Sequence, residues 1–279
     1  MNYLEQPFYN VLTKIELNQG YLNHIANDLD KYNKKIVNEL SSESMFLKGT
    51  KLVFSDLTGE TDNGWEINFP SNTSGYVVTT ENYINKNLEI FNIVSLNLTV
   101  QNYEALESYI KSMLIAYFEN NDQAAKETIG KMNFRYNRNQ INWRQTVHKL
   151  NKGVNKRGYL EILRLLSQEF EKGEQENLHK INLKDWFEMI STARHSIVHS
   201  NSIIKNDEAN KLSETMKNYL QYFFNVNNKE NGSIQLSLDV SRQRKLFKFF
   251  AEYCFFIFKS LSQTLELEWR ILKHMNNEA

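Results

Sequence analysis

Helix-breaking residues are scarce in this chain, and that scarcity constrains its fold more than any other feature. Pro7 and Pro70 are the only prolines, and ten glycines are spread over 279 residues. So little turn punctuation disfavours a many-turned β architecture and predicts long helices. The apolar residues agree. Leu12, Ile15, Leu22, Ile25, Leu29, Ile36 and Leu40 recur mostly at three- and four-residue steps, which predicts one or two helices over residues 8–47. Residues 81–121 read as helix again, with a plausible start at Thr99–Glu104, a stripe of Leu106, Tyr109, Ile110, Met113, Leu114 and Tyr117, and an end at Asn120–Asp122. A last helix over 241–272, capped by Asp239 or Ser241, carries Leu246, Phe249, Phe250, Tyr253, Phe256, Ile257, Leu261 and Leu265. That stripe is wide enough to face two neighbours in a bundle.

Between the first two helical regions the pattern changes. Lys51–Leu57, Trp65–Phe69 and Tyr76–Thr80 have strand composition, and Thr58–Gly64 and Pro70–Gly75 have turn chemistry. A small β insert of two or three strands is expected near residues 50–80, packed on a helix because such a piece is marginal alone. Tyr159–Phe170 reads as a short helix, Glu171–Lys180 as a polar loop, Asn225–Gly232 as a turn and Ser233–Leu238 as a strand. The fold class is therefore mainly α, divided into residues 1–90 with the β insert and residues 91–275 as a helical bundle.

Charge is balanced, 33 basic against 33 acidic residues, so the whole molecule is not a polyelectrolyte binder of nucleic acid or membrane. One block departs from this balance. Residues 128–160 contain no acid, and Arg135, Arg138, Arg144, Lys149, Lys152, Lys156 and Arg157 are interleaved with Phe134, Tyr136 and Trp143. Such a mixture can hold RNA phosphates and stack bases, or it can be a solvated face whose acids lie elsewhere in the fold. The single cysteine, Cys254, allows no disulfide framework or thiolate zinc site within the chain and reads as a small buried apolar residue. The first residues lack the pattern of a secretory signal, and no apolar run approaches the roughly 20 residues that span a bilayer, so a soluble cytoplasmic protein is expected.

Potential chemistry concentrates in Ser191–Ser200, where Arg194, His195 and His199 fall within six residues. The preceding run, Ile181–Ile190, is apolar with helical period, so the motif belongs on a helix starting near Asn182 or Leu183. At about 100° per residue, Trp186, Ile190, Ala193 and Ile197 share one face, and Arg194 lies on its flank. His195 and His199 are one turn apart on the less apolar side. Arg194 and His199 point about 140° apart, so they converge only at a helix end, at a bend, or when two copies meet.

Three readings of these residues stand together. Arg194 can be a bundle salt bridge with exposed histidines. The two histidines can be half of a metal site, although Ser196–Val198 supplies no intervening acid. Metal-free phosphoryl chemistry is the third: a histidine titrates near neutrality and can take the proton of an RNA 2′-hydroxyl, while an arginine holds the phosphate.

Arg194-His-Ser-Ile-Val-His199, with the polar His195 directly after the arginine, resembles the Arg-x(4–6)-His motif of the HEPN family. The helical stretch at 95–120, the motif helix after its apolar run and the long last helix extend that resemblance over roughly residues 90–272. It implies a HEPN-like antiparallel helical bundle that dimerises with its motifs face to face, and a ribonuclease that needs no metal or other cofactor. It also implies a toxin–antitoxin or phage-defence setting with an antitoxin protein as a partner. His199 would then be the general base or acid and Arg194 the phosphate-stabilising cation, with His195, Ser196 and Asn201 auxiliary. Glu104 or Glu107 from the earlier helix could orient the site. Some members of the family have lost activity, so the alternative is a catalytically inactive module that binds a protein or nucleic acid.

Overall fold

The computed structural model describes residues 2–39, 46–48, 51–55, 66–70, 76–131, 141–150 and 158–270. In chain order the elements are α1 (Glu5–Glu39), β1 (Phe46–Lys48), β2 (Lys51–Ser55), β3 (Glu66–Pro70), β4 (Tyr76–Val78), α2 (Thr80–Asn120), α3 (Asp122–Lys131), α4 (Trp143–Leu150) and α5 (Gly158–Leu166). They continue with α6 (Gln168–Gln175), α7 (Leu183–His199), β5 (Ile203–Ile204), α8 (Asn206–Ala209), α9 (Glu214–Phe223), β6 (Asn225–Asn228), β7 (Ile234–Ser237) and α10 (Val240–Thr264). The fold is mainly helical, and among the described residues no helix is long and apolar enough to cross a membrane.

The chain packs as two compact units, one of Asn23–Ile93 and one of Met1–Leu22 with Val94–Ala279. The sequence division at residue 90 assigns residues 1–22 to the N-terminal region. In the packing they join the larger unit, because Leu4, Phe8, Val11 and Ile15 are buried in its core.

In the unit of Asn23–Ile93, β1 pairs with β4 and β2 with β3, both antiparallel, giving two separate two-stranded sheets whose pairing is nested along the sequence. Asn87 Nδ2 donates to Asn33 Oδ1 at 2.7 Å and ties α2 to α1 there.

The larger unit is built around α10. Phe249, Phe250 and Tyr253 from α10 and Phe223 from α9 surround the Trp186 ring of α7 at centroid distances of 4.9, 5.3, 5.4 and 6.3 Å. Trp186, Ile190 and Ala193, spaced by four and three, are fully buried, so the apolar face of α7 lies where its period puts it. Cys254 is buried in the same core, where burial pushes its thiol pKa up and leaves it inert. Gly173 lets α6 pass close to α10, because a Cβ there would sit 2.5 Å from the Phe256 ring. Across α5 and α6, Arg164 grips the buried Glu174 with two hydrogen bonds of 2.6 and 2.8 Å. β5, β7 and β6 form a three-stranded antiparallel sheet in that order.

Several local expectations change. α2 runs unbroken through Thr99, whose buried hydroxyl donates back to the Ser95 carbonyl at 2.9 Å instead of capping a new helix. The expected loop at Glu171–Lys180 begins as α6, capped by Ser167 Oγ, which accepts the Phe170 N–H at 3.1 Å. Asn225–Asn228 form a strand, because β7 supplies their backbone partners despite their polar side chains. α10 is capped by Asp239, as expected, and ends at Thr264, where the Leu265 N–H turns back to the Leu261 and Ser262 carbonyls.

Candidate functional site

α7 starts where its sequence predicts. Asn182 caps it, with Oδ1 accepting the Asp185 N–H at 3.1 Å. Its other end is abrupt. The Ser196 carbonyl accepts the N–H groups of both Ser200 and Ser202, at 2.9 and 3.0 Å. Asn201 and Ser202 then take left-handed backbone, with φ of 51° and 64°. Neither is glycine, although asparagine tolerates this region better than most residues. The turn continues straight into the sheet, where the Leu236 N–H donates to the Ser202 carbonyl at 2.9 Å. His199 therefore occupies the last position of its helix, held there by a turn fastened to a sheet.

Arg194 projects toward α2, and its Nη2 donates to Glu104 Oε1 at 3.1 Å. The arginine side chain is 31% exposed and the glutamate 54%, so the pair is half-open to solvent. The Nε of Arg194 is buried without an acceptor. Beside this pair, Tyr103 packs its ring against Phe187 at 5.6 Å, and its hydroxyl donates to Glu107 Oε1 at 3.2 Å. Burial pushes the Tyr103 pKa up, the nearby Glu107 charge pushes it further, and a hydrogen bond with Ser191 and the Arg194 charge pull the other way. Of the two glutamates that the sequence nominated, Glu104 meets the arginine and Glu107 serves the tyrosine.

The histidines lie elsewhere on the helix. The rings of His195 and His199 stand 4.7 Å apart and are solvent-exposed. His195 Nε2 is 4.0 Å from Glu208 Oε1 of α8. Among the described residues, no hydrogen bond or ion pair joins Arg194 to His199, and no three His, Cys, Asp or Glu side chains group as metal ligands. Ser196 is fully buried, and its hydroxyl donates to the Ala193 carbonyl at 2.8 Å, so it is turned back onto its own helix rather than facing a reactant. Asn201 is exposed at the turn, and its carbonyl accepts from Gln235 Nε2 at 3.2 Å.

In the basic block, Arg144 of α4 is engaged by Glu119 of α2, with Nε donating to Oε1 at 3.0 Å. Lys149 is exposed near the end of α4. Arg135, Arg138, Lys152, Lys156 and Arg157 lie outside the described residues.

The sequence reading missed the surroundings of Glu104. A pocket of about 380 Å³ between α1 and α2 is lined by Lys14, Leu17, Asn18, Gln101 and Glu104. No local motif marks it, because its two walls are joined only by folding: Asn18 reaches Asn102, 84 positions away, with Nδ2 donating to Oδ1 at 2.7 Å. The chain matches no protein-family model, and comparison with curated proteins and with solved structures returns no match.

Proposed function

We propose that the chain is a metal-independent endoribonuclease of HEPN type, acting as a homodimer. The observation that carries this reading is the placement of His199 at the exposed end of α7, one helix face away from a half-exposed Arg194. In the proposed reaction, one histidine takes the proton of a ribose 2′-hydroxyl. The oxygen attacks the adjacent phosphorus, and the 5′-oxygen leaves with a proton from His195, the auxiliary histidine whose ring stands 4.7 Å from that of His199. The products are a 2′,3′-cyclic phosphate and a 5′-hydroxyl. Arg194 stabilises the charge that develops on the phosphorane. Arg194 and His199 diverge by about 140° along α7, and no hydrogen bond or ion pair joins them within one chain, so the proposed site pairs the arginine of one copy with the histidine of the other. A bacterial toxin–antitoxin or phage-defence role, with an antitoxin protein binding the same face, accompanies this proposal.

The Arg194–Glu104 ion pair favours a second reading, a catalytically inactive module in which the arginine is a structural tie between α7 and α2. One experiment separates the two. Purified protein is incubated with mixed RNA in EDTA, beside His199→Ala, and the ends are assayed for 2′,3′-cyclic phosphate. The ribonuclease reading expects cleavage by the parent and a loss of roughly 10²- to 10⁴-fold in the variant. Undiminished cleavage by the variant, or none by the parent, favours the module.

A further inference from the structure

The pocket between α1 and α2 shares Glu104 with Arg194, and its chemistry suits one nucleotide of a single-stranded RNA. We propose that it is a base-recognition subsite next to the cleavage site, selective for bases that carry an exocyclic amino group. This proposal rests on the ribonuclease reading for its substrate.

Lys14, Leu17, Asn18 and Tyr21 are spaced by three, one and three residues, so they form one continuous stripe on α1. The stripe is cationic at one end and aromatic at the other. Its two apolar members are held out to solvent, Leu17 at 67% exposed and Tyr21 at 58%. Gln101 and Glu104 face it from α2, one turn apart. The volume, about 380 Å³, falls in the range of roughly 300 to 1,000 Å³ typical of small-ligand pockets.

Each group has a use in base recognition. Single-stranded RNA presents unstacked bases that proteins stack on aromatic or apolar side chains and read along their hydrogen-bonding edges. Leu17 supplies the apolar contact inside the pocket, and Tyr21 lies one turn further along α1. The Asn18 amide is fixed through its donor to Asn102, which leaves its carbonyl oxygen as an acceptor. Gln101 is exposed and offers both a donor and an acceptor.

Glu104 decides the specificity. Its Oε1 is committed to Arg194, and its other oxygen can only accept. A carboxylate in the pocket repels a phosphate, so the neutral base enters and its phosphate stays at the rim with Lys14. The free Glu104 oxygen, an obligate acceptor, favours cytosine, adenine or guanine, which donate from an exocyclic amine, over uracil, whose one donor is the ring N3–H between two carbonyls. The base and the scissile phosphate thus share one residue: Glu104 orients Arg194 with one oxygen and reads the base with the other.

The test uses the full chain carrying His199→Ala, so that RNA stays intact, and fluorescently labelled oligo(C), oligo(A) and oligo(U) titrated by anisotropy in EDTA. The amino-bearing oligomers are expected to bind about tenfold tighter than oligo(U). Lys14→Ala and Gln101→Ala, both at exposed helical positions, are expected to weaken oligo(C) binding several-fold with an unchanged thermal melt. Equal affinity for all three oligomers, parental affinity in both variants, or no binding of any oligomer overturns the subsite. Cleavage by otherwise wild-type protein is scored separately. If His199→Ala cleaves like the parent while Lys14→Ala and Gln101→Ala weaken binding, the catalytic reading falls and the subsite stands. If His199→Ala is inactive and both pocket variants bind normally, the subsite alone falls.

Discussion

The two ends of α7 are built for opposite purposes. At Trp186 the helix is locked into a cage of four aromatic rings, and the indole is fully buried. Three turns later the same helix carries two exposed imidazoles and stops at a turn made of non-glycine left-handed residues. The buried end contributes stability and fixes the helix axis. The exposed end contributes little stability, and its rigidity is borrowed from the buried end and from the sheet that holds Ser202. Reactive groups placed this way can be precise without being buried.

Substitutions along α7 should separate the two ends. Trp186→Ala removes the centre of the cage and should destabilise the protein by about 3–5 kcal/mol in urea unfolding. A much smaller loss would mean that the cage does not anchor the helix. Asn201→Val forces a β-branched side chain into left-handed backbone and should cost about 1–2 kcal/mol. Asn182→Ala removes the N-cap and should cost about 1 kcal/mol. His199→Ala should change stability by less than about 0.5 kcal/mol while removing cleavage, which would place its role in chemistry rather than packing.

A separate effect concerns pH. Burial raises the Tyr103 pKa above its ordinary value of 10.0, so the folded state holds that proton more tightly than the unfolded chain. The stability this contributes is fully present below pH 10.0 and is lost as pH rises toward the raised folded value. Tyr103→Phe should therefore flatten the decline of thermal stability above pH 10.0, without removing it, because Tyr109 and Tyr253 are raised by burial too.

The buried face of α7 and the exposed side carrying His195 and His199 were legible in the sequence, and the turn that ends the helix was not. Trp186, Ile190 and Ala193 follow a period that local sequence displays, and Asn182 and Asp239 are caps with local signatures. The termination after His199 has no such mark. It is made by Ser196, Asn201 and Ser202, and it is stabilised by β7, more than 30 positions downstream, where Gln235 meets Asn201. The same reason explains the misread segments. Glu171–Gln175 looked like a loop because charges dominate there, yet the segment continues α6, with Phe170 and Glu174 buried. Asn225–Asn228 looked like a turn because strand pairing acts on backbone, whatever the side chains. Glu104 could be nominated for Arg194 but not chosen over Glu107, since 90 positions of chain separate arginine from partner and only folding selects between them.

The central claim is that Arg194 of one copy works with His199 of another. Arg194→Ala and His199→Ala chains, each inactive alone, can be co-expressed and assayed on RNA in EDTA. Half of the dimers formed at random are mixed, and each mixed dimer has one intact Arg194–His199 pairing, so activity of about a quarter of the parental level is expected. A mixture as inactive as either variant alone would contradict the claim.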